Sequence, residues 1–145
     1  MNGSADRFFL DTNLLVYAVD PTDRWKQDIA LGVIAEAHQG NGCLSYQVVQ
    51  EWFNVVLRKS AAPLSLAEAT RLYRMLLEPL WRVQSSRELV DAALNIHQTS
   101  KVSWWDALIV SAALQGGCGR LLSEDLQHGA AIQGVRIENP FRRRN

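Results

Sequence analysis

Residues 7–20 read RFFLDTNLLVYAVD, two apolar runs separated by a short polar break. The first run, Arg7–Leu10, suits a short buried strand because it is apolar and aromatic. The second run, Leu14–Tyr17, suits a helix. A carboxylate between two core segments costs several kcal/mol unless it pairs with a partner or binds a cation. Asp11 therefore either caps a helix or faces a ligand.

Length and composition indicate one ordinary globular domain. A chain of 145 residues can bury roughly two-thirds of its surface, and 48% hydrophobic with 21% charged residues is typical of such domains. The 15 Lys and Arg residues balance the 15 Asp and Glu residues, so a nucleic-acid binder would need locally concentrated positive charge or metal ions. The one basic cluster, Arg142–Arg144, is expected to be a solvated C-terminal tail at about residues 141–145.

The sequence also predicts a cytoplasmic protein without a membrane segment. Cys43 and Cys118 lack metal-ligand spacing and are expected to be reduced thiols. The apolar run after Asp6 and Arg7 is too short for a secretory signal. No uncharged apolar stretch approaches the ~20 residues that a membrane helix needs.

Strand and helix signals alternate along the chain, which predicts a parallel sheet covered by helices on both faces. The five predicted strands are Arg7–Leu10, Cys43–Leu44, LWRVQ at 80–84, RLLS at 120–123 and GVRIE at 134–138. The predicted helices lie within Asp23–His38, within 45–60, and after the starts SLAE (Ser65–Glu68), SSRE (Ser85–Glu88) and SWWD (Ser103–Asp106). SLAE and SSRE have the pattern of a capping box, in which a serine and an acid three residues later satisfy free N–H groups.

Acidic residues follow two of these strands. Asp11 ends the first strand, and the segment Ser123–Asp125 follows the fourth. Ligands of open α/β sheets bind beyond the carboxyl ends of the strands, so both acidic clusters are predicted at one edge. Taken singly, Asp11 could be a helix cap and Asp125 a turn residue. Glu124 and Asp125 are adjacent, so only one of them is expected to face a common site.

Two helices carry further carboxylates beside apolar surfaces. Asp106 lies at the start of a helix that is apolar almost all round, which indicates burial. It projects toward Ile109 and Val110, although a capping-box role at the helix N-terminus fits as well. Glu51 lies on a polar strip beside the apolar face of its helix, where a residue is either solvated or points into a cleft.

Converging carboxylates without matching cations repel one another, and divalent cations relieve this repulsion. Mg²⁺ and Mn²⁺ accept oxygen ligands and keep waters for chemistry. Zinc is not expected, because His38, His97 and His128 are scattered along the chain. The acids therefore predict a Mg²⁺ or Mn²⁺ site.

Five segments, in order, resemble the PIN-domain family, and in particular its VapC-like toxins of bacterial toxin–antitoxin pairs. They are FLDTNLLVYAVD, SYQVVQEWFNVV, SWWDALIVSAAL, LLSEDLQHG and GVRIENPF. The resemblance covers essentially the whole chain, residues 1–145, as one PIN-like domain. It implies a three-layer α/β/α sandwich around a central parallel sheet of about five strands.

The resemblance implies an endoribonuclease that depends on Mg²⁺ or Mn²⁺. Carried over by motif, the catalytic and metal-binding acids are Asp11, Glu51, Asp106 and Asp125. The supporting polar residues are Thr12, Asn13, Ser123 and Glu124. Glu124 competes with Asp125 for the fourth acidic position. A metal held by carboxylates generates a nucleophilic water for in-line attack on phosphorus, so a 5′-phosphate and a 3′-hydroxyl are the expected products.

The resemblance also implies three partners: an RNA substrate, a cognate antitoxin whose C-terminal segment fills a groove over the active site, and a second copy in a homodimer. An acidic site needs peripheral cations to hold RNA phosphates. The candidates are Arg58, Lys59 and Lys101, which could equally be solvated surface charges. Trp104 and Trp105 could stack on bases or pack in the core or at a subunit interface.

Other interpretations stay open. A catalytically idle PIN-fold module would act only by binding proteins. A phospho-aspartyl phosphatase would need an acid two residues after Asp11, where the chain has Asn13, and a receiver domain would need paired early acids and a late lysine. A structure-specific DNA nuclease uses a similar acid cluster, but such enzymes usually carry helical insertions for which this length leaves no room.

Overall fold

The structure is a computed structural model that describes residues 7–143. The strands are β1 (Phe8–Leu10), β2 (Gly42–Ser45), β3 (Trp81–Val83), β4 (Arg120–Leu122), β5 (Ala131–Ile132) and β6 (Val135–Glu138). The helices are α1 (Thr12–Tyr17), α2 (Arg24–Glu36), α3 (Tyr46–Asn54), α4 (Leu66–Leu72), α5 (Arg87–Ser100) and α6 (Trp104–Gln115). Helical turns at Ala37–Asn41, Val55–Lys59 and Tyr73–Leu77 extend α2, α3 and α4, and the turn Glu78–Leu80 leads into β3.

The strand order places the expected position of a ligand site at the carboxyl ends of the central strands. The order is β3-β2-β1-β4-β6-β5, and β1 pairs in parallel with both β2 and β4. From β1 the chain builds outward through β2 and β3, and then crosses back to β4 on the other side of β1. Ligands of open α/β sheets bind beyond the carboxyl ends of the strands at such a reversal. Residues directly after β1 and β4 therefore lie where a site is expected.

The helices form two layers on opposite faces of the sheet. Crossovers between parallel strands are right-handed, so α1–α4, which lead toward β2 and β3, lie on one face. The return from β3 to β4 runs through α5 and α6 and places these two helices on the other face. The predicted three-layer α/β/α sandwich is confirmed. Phe9 and Leu10 of the central strand are fully buried in its core.

The sheet has six strands, one more than predicted. The additional strand is β5, which pairs antiparallel with β6 at the edge of the sheet. The turn between them holds Gln133 and Gly134 at φ values of 52° and 84°, the geometry of a tight two-residue hairpin turn. A strand of two residues carries no alternating pattern, so periodicity gives no signal for it.

The helix N-termini confirm two serine caps and correct a third. The hydroxyls of Ser65 and Ser103 each accept the backbone N–H three residues later at 3.1 Å. In the SSRE sequence the cap is Ser86, which accepts the N–H of Leu89 at 3.1 Å, and not Ser85. The acid then lies at the second helical position, so the predicted capping box there is wrong. Adjacent serines are equivalent caps, and the path of the chain leaving β3 selects the second.

The C-terminal segment packs against α1 and α2. Phe141, at the start of the predicted basic tail, is buried and meets the Tyr17 ring edge-on, with centroids 5.0 Å apart. The Arg143 guanidinium lies 4.0 Å from the centroid of the Trp25 ring. Arg142 is exposed, and Arg144 lies outside the described residues. The chain is therefore packed at least to Phe141.

Cys43 and Cys118 are buried free thiols. No helix between residues 7 and 143 combines the length and the apolar character that a membrane span needs.

Candidate active site

A cleft of about 550 Å³ opens at the carboxyl edge of the sheet, between α1, α3, α6 and the loop after β4. The carboxylates that line it are Asp11, Glu51, Asp106 and Asp125. Among the described residues that line the cleft, Lys59 is the one basic side chain. Four acids from four distant parts of the sequence thus meet in one cleft. The strand-end argument predicts this for Asp11 and Asp125, and helices contribute Glu51 and Asp106.

Asp11 is the buried acid of the cleft. Its Oδ1 accepts the N–H of Thr12 at 2.7 Å, and its Oδ2 accepts the hydroxyl of Ser123 at 2.7 Å. Burial, with 6% of the residue exposed, raises the pKa of Asp11 to about 6 against the opposing effect of these two hydrogen bonds. The charges of Asp125 and Glu51 raise this pKa further. Asp11 therefore caps α1 and also lines the cleft, and its role toward a ligand stays a prediction.

The side chain of Glu51 extends from α3 toward α1. Its Oε1 accepts the hydroxyl of Thr12 at 2.6 Å, and its Oε2 accepts the Gln47 amide at 3.3 Å. The neighbouring Trp52 is fully buried and donates its indole N–H to the carbonyl of Leu15 at 3.0 Å. This contact locks α3 against α1 and so places Glu51 at the margin of the cleft.

Asp106 lies in the first turn of α6, beside Ile109 on the cleft wall. Its backbone N–H is the group that the Ser103 cap satisfies. Its carboxylate makes no hydrogen bond or ion pair with any residue between 7 and 143. The capping-box role that the sequence allowed is therefore not formed, and the carboxylate is available to a ligand.

The Asn13 amide on α1 contacts both acids of the loop after β4. Asn13 donates through Nδ2 to Asp125 Oδ2 at 3.2 Å and accepts the N–H of Glu124 on Oδ1 at 3.4 Å. Ser123 is fully buried, and its hydroxyl oxygen accepts the N–H of Asp125 at 3.1 Å while donating to Asp11. Of the predicted supporting residues, Thr12, Asn13 and Ser123 thus hydrogen-bond to cleft acids.

The two adjacent acids of this loop have different surroundings. Asp125 is exposed and lines the cleft, whereas Glu124 does not line it. Glu124 pairs with the ammonium of Lys26 on α2 and accepts the hydroxyl of Tyr17. Its hydrogen bond to Lys26 raises the pKa of that ammonium, and burial followed by the Glu124 contact raises the pKa of Tyr17. The geometry favours Asp125 as the fourth acid of the cleft.

A sequence model of the PIN domain matches residues 8–131. The chain belongs to the PIN domain family. The match runs from the start of β1 to the first residue of β5, and therefore includes all four cleft acids.

Solved structures with the same fold have low sequence identity to this PIN chain. VapBC2 from Rickettsia felis, bound to a promoter DNA fragment, superposes with a TM-score of 0.65 at 17% identity, over 91% of this chain and 97% of that one. A toxin–antitoxin complex from Klebsiella pneumoniae gives 0.63 at 20% identity, over 92% and 97%. The sarcin-ricin loop cleaving toxin VapC20 from Mycobacterium tuberculosis gives 0.59 at 16%, over 79% and 86%. Identities this low show the fold alone. The comparison with curated proteins gave no significant match.

The predicted RNA-binding cations of this PIN domain divide into two groups. Lys59, in the turn that extends α3, lines the cleft. The neighbouring Arg58 is exposed and does not line the cleft. Lys101, at the end of α5, does not line the cleft either. Only Lys59 of the three is therefore brought to the acids.

Two residues around the PIN cleft were missed by sequence reasoning. Tyr17 lies one turn after Asn13 on α1, a spacing that signals a shared helix face. Lys26 carries no comparable signal, because it reaches Glu124 only through the packing of α2 against the loop after β4.

The donor set of the cleft fits a hard divalent cation. Carboxylate oxygens dominate, joined by hydroxyl and amide oxygens, which Mg²⁺ and Mn²⁺ prefer. Within residues 7–143, no group of three or more His, Cys, Asp or Glu side chains converges closely enough to hold a metal ion as it stands. The carboxylates of Asp11, Glu51 and Asp125 are held by hydrogen bonds to described residues, whereas that of Asp106 is not. Asp106 is therefore the least constrained of the four and the one with most freedom to approach a cation.

A second groove of about 480 Å³ adjoins the PIN cleft and shares Gln47, Glu51 and Trp105 with it. Its walls are largely apolar and include Tyr46 and Leu108. Trp105 is 63% exposed at the boundary between the two. The tryptophan is therefore neither a core residue nor shielded by any other described part of the chain.

Proposed function

We propose that this protein is an endoribonuclease dependent on Mg²⁺ or Mn²⁺, and that it is the toxin of a toxin–antitoxin pair. The observation that carries the proposal is that three further carboxylates meet the buried Asp11 in a cleft whose described lining contains one lysine. So much unneutralised negative charge is unfavourable without a cation. A fold that gathers it at the reversal of the strand order is built to bind one.

Each acid has a separate part in this proposal. A bound Mg²⁺ or Mn²⁺ supplies an activated water and stabilises charge on the phosphoryl group. Asp11 would be the metal ligand with the most fixed position, because Ser123 and the Thr12 N–H hold both of its oxygens. Glu51 is oriented by the Thr12 hydroxyl. It would accept a proton, or a hydrogen bond from a ligand, at a fixed position in the cleft. Asp106 and Asp125 complete the donor set.

RNA is the proposed substrate, and Lys59 the residue that holds a phosphate at the rim of the cleft. VapC20 from Mycobacterium tuberculosis, which shares the fold, is a toxin that cleaves the sarcin-ricin loop, and a related activity here is part of the proposal. Water activated by a bound divalent cation would take the place of the ribose 2′-hydroxyl as nucleophile, so the expected products are a 5′-phosphate and a 3′-hydroxyl. A 2′,3′-cyclic phosphate product would contradict this mechanism.

The toxin assignment draws on the solved structures that share the fold. Those from Rickettsia felis and Klebsiella pneumoniae are toxin–antitoxin assemblies. By analogy, we propose that this chain binds a cognate antitoxin. That it forms a homodimer and acts in the cytoplasm are further parts of the proposal, which rest on the family resemblance of the sequence.

The proposal is tested by incubating the purified, antitoxin-free protein with total RNA in Mg²⁺, Mn²⁺ or EDTA. Asp106→Asn removes one cleft acid, and Asp28→Asn is the matched control, since Asp28 is exposed on α2 outside the cleft. We expect discrete fragments with wild type and Asp28→Asn in either metal, and none with Asp106→Asn or EDTA. Intact RNA in every lane would favour an idle binding module. Cleavage of branched or single-stranded DNA in place of RNA would favour the DNA nuclease.

A further inference from the structure

The loop after β4 presents two adjacent acids, of which one faces the cleft and the other does not. Glu124 and Asp125 are both held through Asn13, whose amide bonds the backbone of the first and the carboxylate of the second. Because the two acids are neighbours in the chain and share the Asn13 amide, a displacement of Glu124 is transmitted to Asp125. The contacts that hold Glu124 therefore also affect the position of Asp125 at the cleft.

Lys26 and Tyr17 hold Glu124. The Lys26 ammonium donates to Glu124 Oε2 and to the Tyr17 oxygen, the latter at 3.1 Å. The side chains of Lys26 and Glu124 are each 25% exposed, so the pair is partly shielded from water. Phe141 packs on the Tyr17 ring, and the centroid of the Phe141 ring lies 5.6 Å from the Lys26 ammonium nitrogen. The ion pair between Lys26 and Glu124 is thus supported by both Tyr17 and Phe141.

Tyr17 is also part of the cleft wall, so Glu124 lies one side chain away from the acids. Without Lys26, the partly buried Glu124 carboxylate would lose its paired positive charge and keep the Tyr17 hydroxyl, next to the proposed cation site. The cation in the cleft would then be the nearest compensating charge.

We propose that Lys26 is a positioning residue that keeps Glu124 out of the cleft and so reserves the fourth acidic position for Asp125. The inference rests on the proposed metal-dependent function and deepens it. Lys26 touches neither metal nor substrate, and it acts through the Glu124 backbone and the Asn13 amide.

The test compares wild type with Lys26→Met, Lys26→Arg and the double variant Lys26→Met/Glu124→Gln. Mn²⁺ binding is measured on RNA-free protein by the electron paramagnetic resonance signal of free Mn²⁺. Then kcat and KM for RNA cleavage are measured at saturating Mn²⁺, and thermal unfolding confirms that each variant is folded. Metal binding gives a readout that does not depend on turnover.

For Lys26→Met we expect Mn²⁺ binding about two- to five-fold tighter, because one nearby positive charge is lost. We expect kcat to fall about 10- to 100-fold with little change in KM, because Asp125 is displaced from its working position. Lys26→Arg should retain both wild-type values. The double variant has no unpaired acid, so it should recover kcat and Mn²⁺ affinity.

A folded double variant with kcat as low as Lys26→Met would overturn the inference, since the ion pair would then be only a structural brace. Unchanged kcat in folded Lys26→Met would overturn it too. If Lys26→Met does not fold, the double variant decides alone by the same criterion. Wild type that binds no Mn²⁺ and cleaves no RNA would overturn the proposed function together with the inference, whereas active wild type separates the two.

Discussion

The hydroxyl of Ser123 donates to Oδ2 of Asp11 at 2.7 Å, with both residues buried. This contact joins the carboxyl ends of β1 and β4, the two strands between which the strand order reverses. The same oxygen accepts the N–H of Asp125 at 3.1 Å. One serine thus fixes the most buried acid of the cleft and the loop that carries the most exposed one.

Ser123→Ala should therefore damage both stability and activity. The substitution leaves a buried carboxylate oxygen without its donor, which costs about 1–3 kcal/mol, and it frees the backbone of Asp125. We expect the free energy of unfolding to fall by about that amount in urea at pH 8 and kcat to fall about 10-fold or more. Ser85→Ala removes an exposed hydroxyl and serves as control. Unfolding curves for Ser123→Ala that coincide with wild type would contradict the role assigned to this contact.

Asp11 should make stability in EDTA depend on pH. Its pKa of about 6 in the folded protein lies above the ordinary value of 3.8, so the folded state binds the proton more tightly than the unfolded state. The stabilisation from the protonated form is complete below pH 3.8 and is lost as the pH rises through about 6. The shift corresponds to at most ~3 kcal/mol.

Asp11→Asn removes this titration. Relative to wild type, the variant should gain about 1–3 kcal/mol in unfolding free energy between pH 4 and pH 8. Urea unfolding in EDTA across that range measures the difference, with Asp28→Asn as the control for loss of an exposed carboxylate. If the difference in unfolding free energy between wild type and Asp11→Asn stays constant with pH, burial does not raise the pKa of Asp11, and this prediction is wrong.

Metal binding should stabilise the folded protein and compete with protons. Mn²⁺ at 100 times its dissociation constant adds about 2.7 kcal/mol to the unfolding free energy, and EDTA should remove this gain. The gain should be smaller at pH 5 than at pH 8, because Asp11 must be ionised to bind a cation. Thermal unfolding with and without Mn²⁺ at both pH values measures it. Asp106→Asn should show a reduced gain, and a gain equal to wild type would remove Asp106 from the donor set.

Much of this site could be predicted because strand ends and helix starts are local features. Asp11 and Asp125 follow apolar strand segments, and parallel strands bring their carboxyl ends to one edge whatever the details of packing. Asp106 is placed by the serine cap three residues before it. The family resemblance points to the same acids, and each one lines the cleft.

The remainder depends on tertiary contacts that have no periodicity. Lys26 and Glu124 are separated by 98 residues, and only the packing of α2 beside the loop after β4 brings them together. The choice of Ser86 over Ser85 as a cap depends on the path of the chain from β3. The edge strand β5 is too short to carry a pattern. Local propensity does not determine any of these three features, which depend on how the elements pack in three dimensions.

Lys59 and Arg58 provide a matched pair for testing the RNA-binding surface. Both are exposed and adjacent, but only Lys59 lines the cleft. If Lys59 holds a phosphate, Lys59→Ala should raise KM for RNA and reduce by about one the slope of log KM against log salt concentration. Arg58→Ala removes an equal charge at the neighbouring position and should have a clearly smaller effect on both quantities. Equal effects would mean that the two residues act only through general charge, and RNA would then not be guided along the side of the cleft that Lys59 occupies.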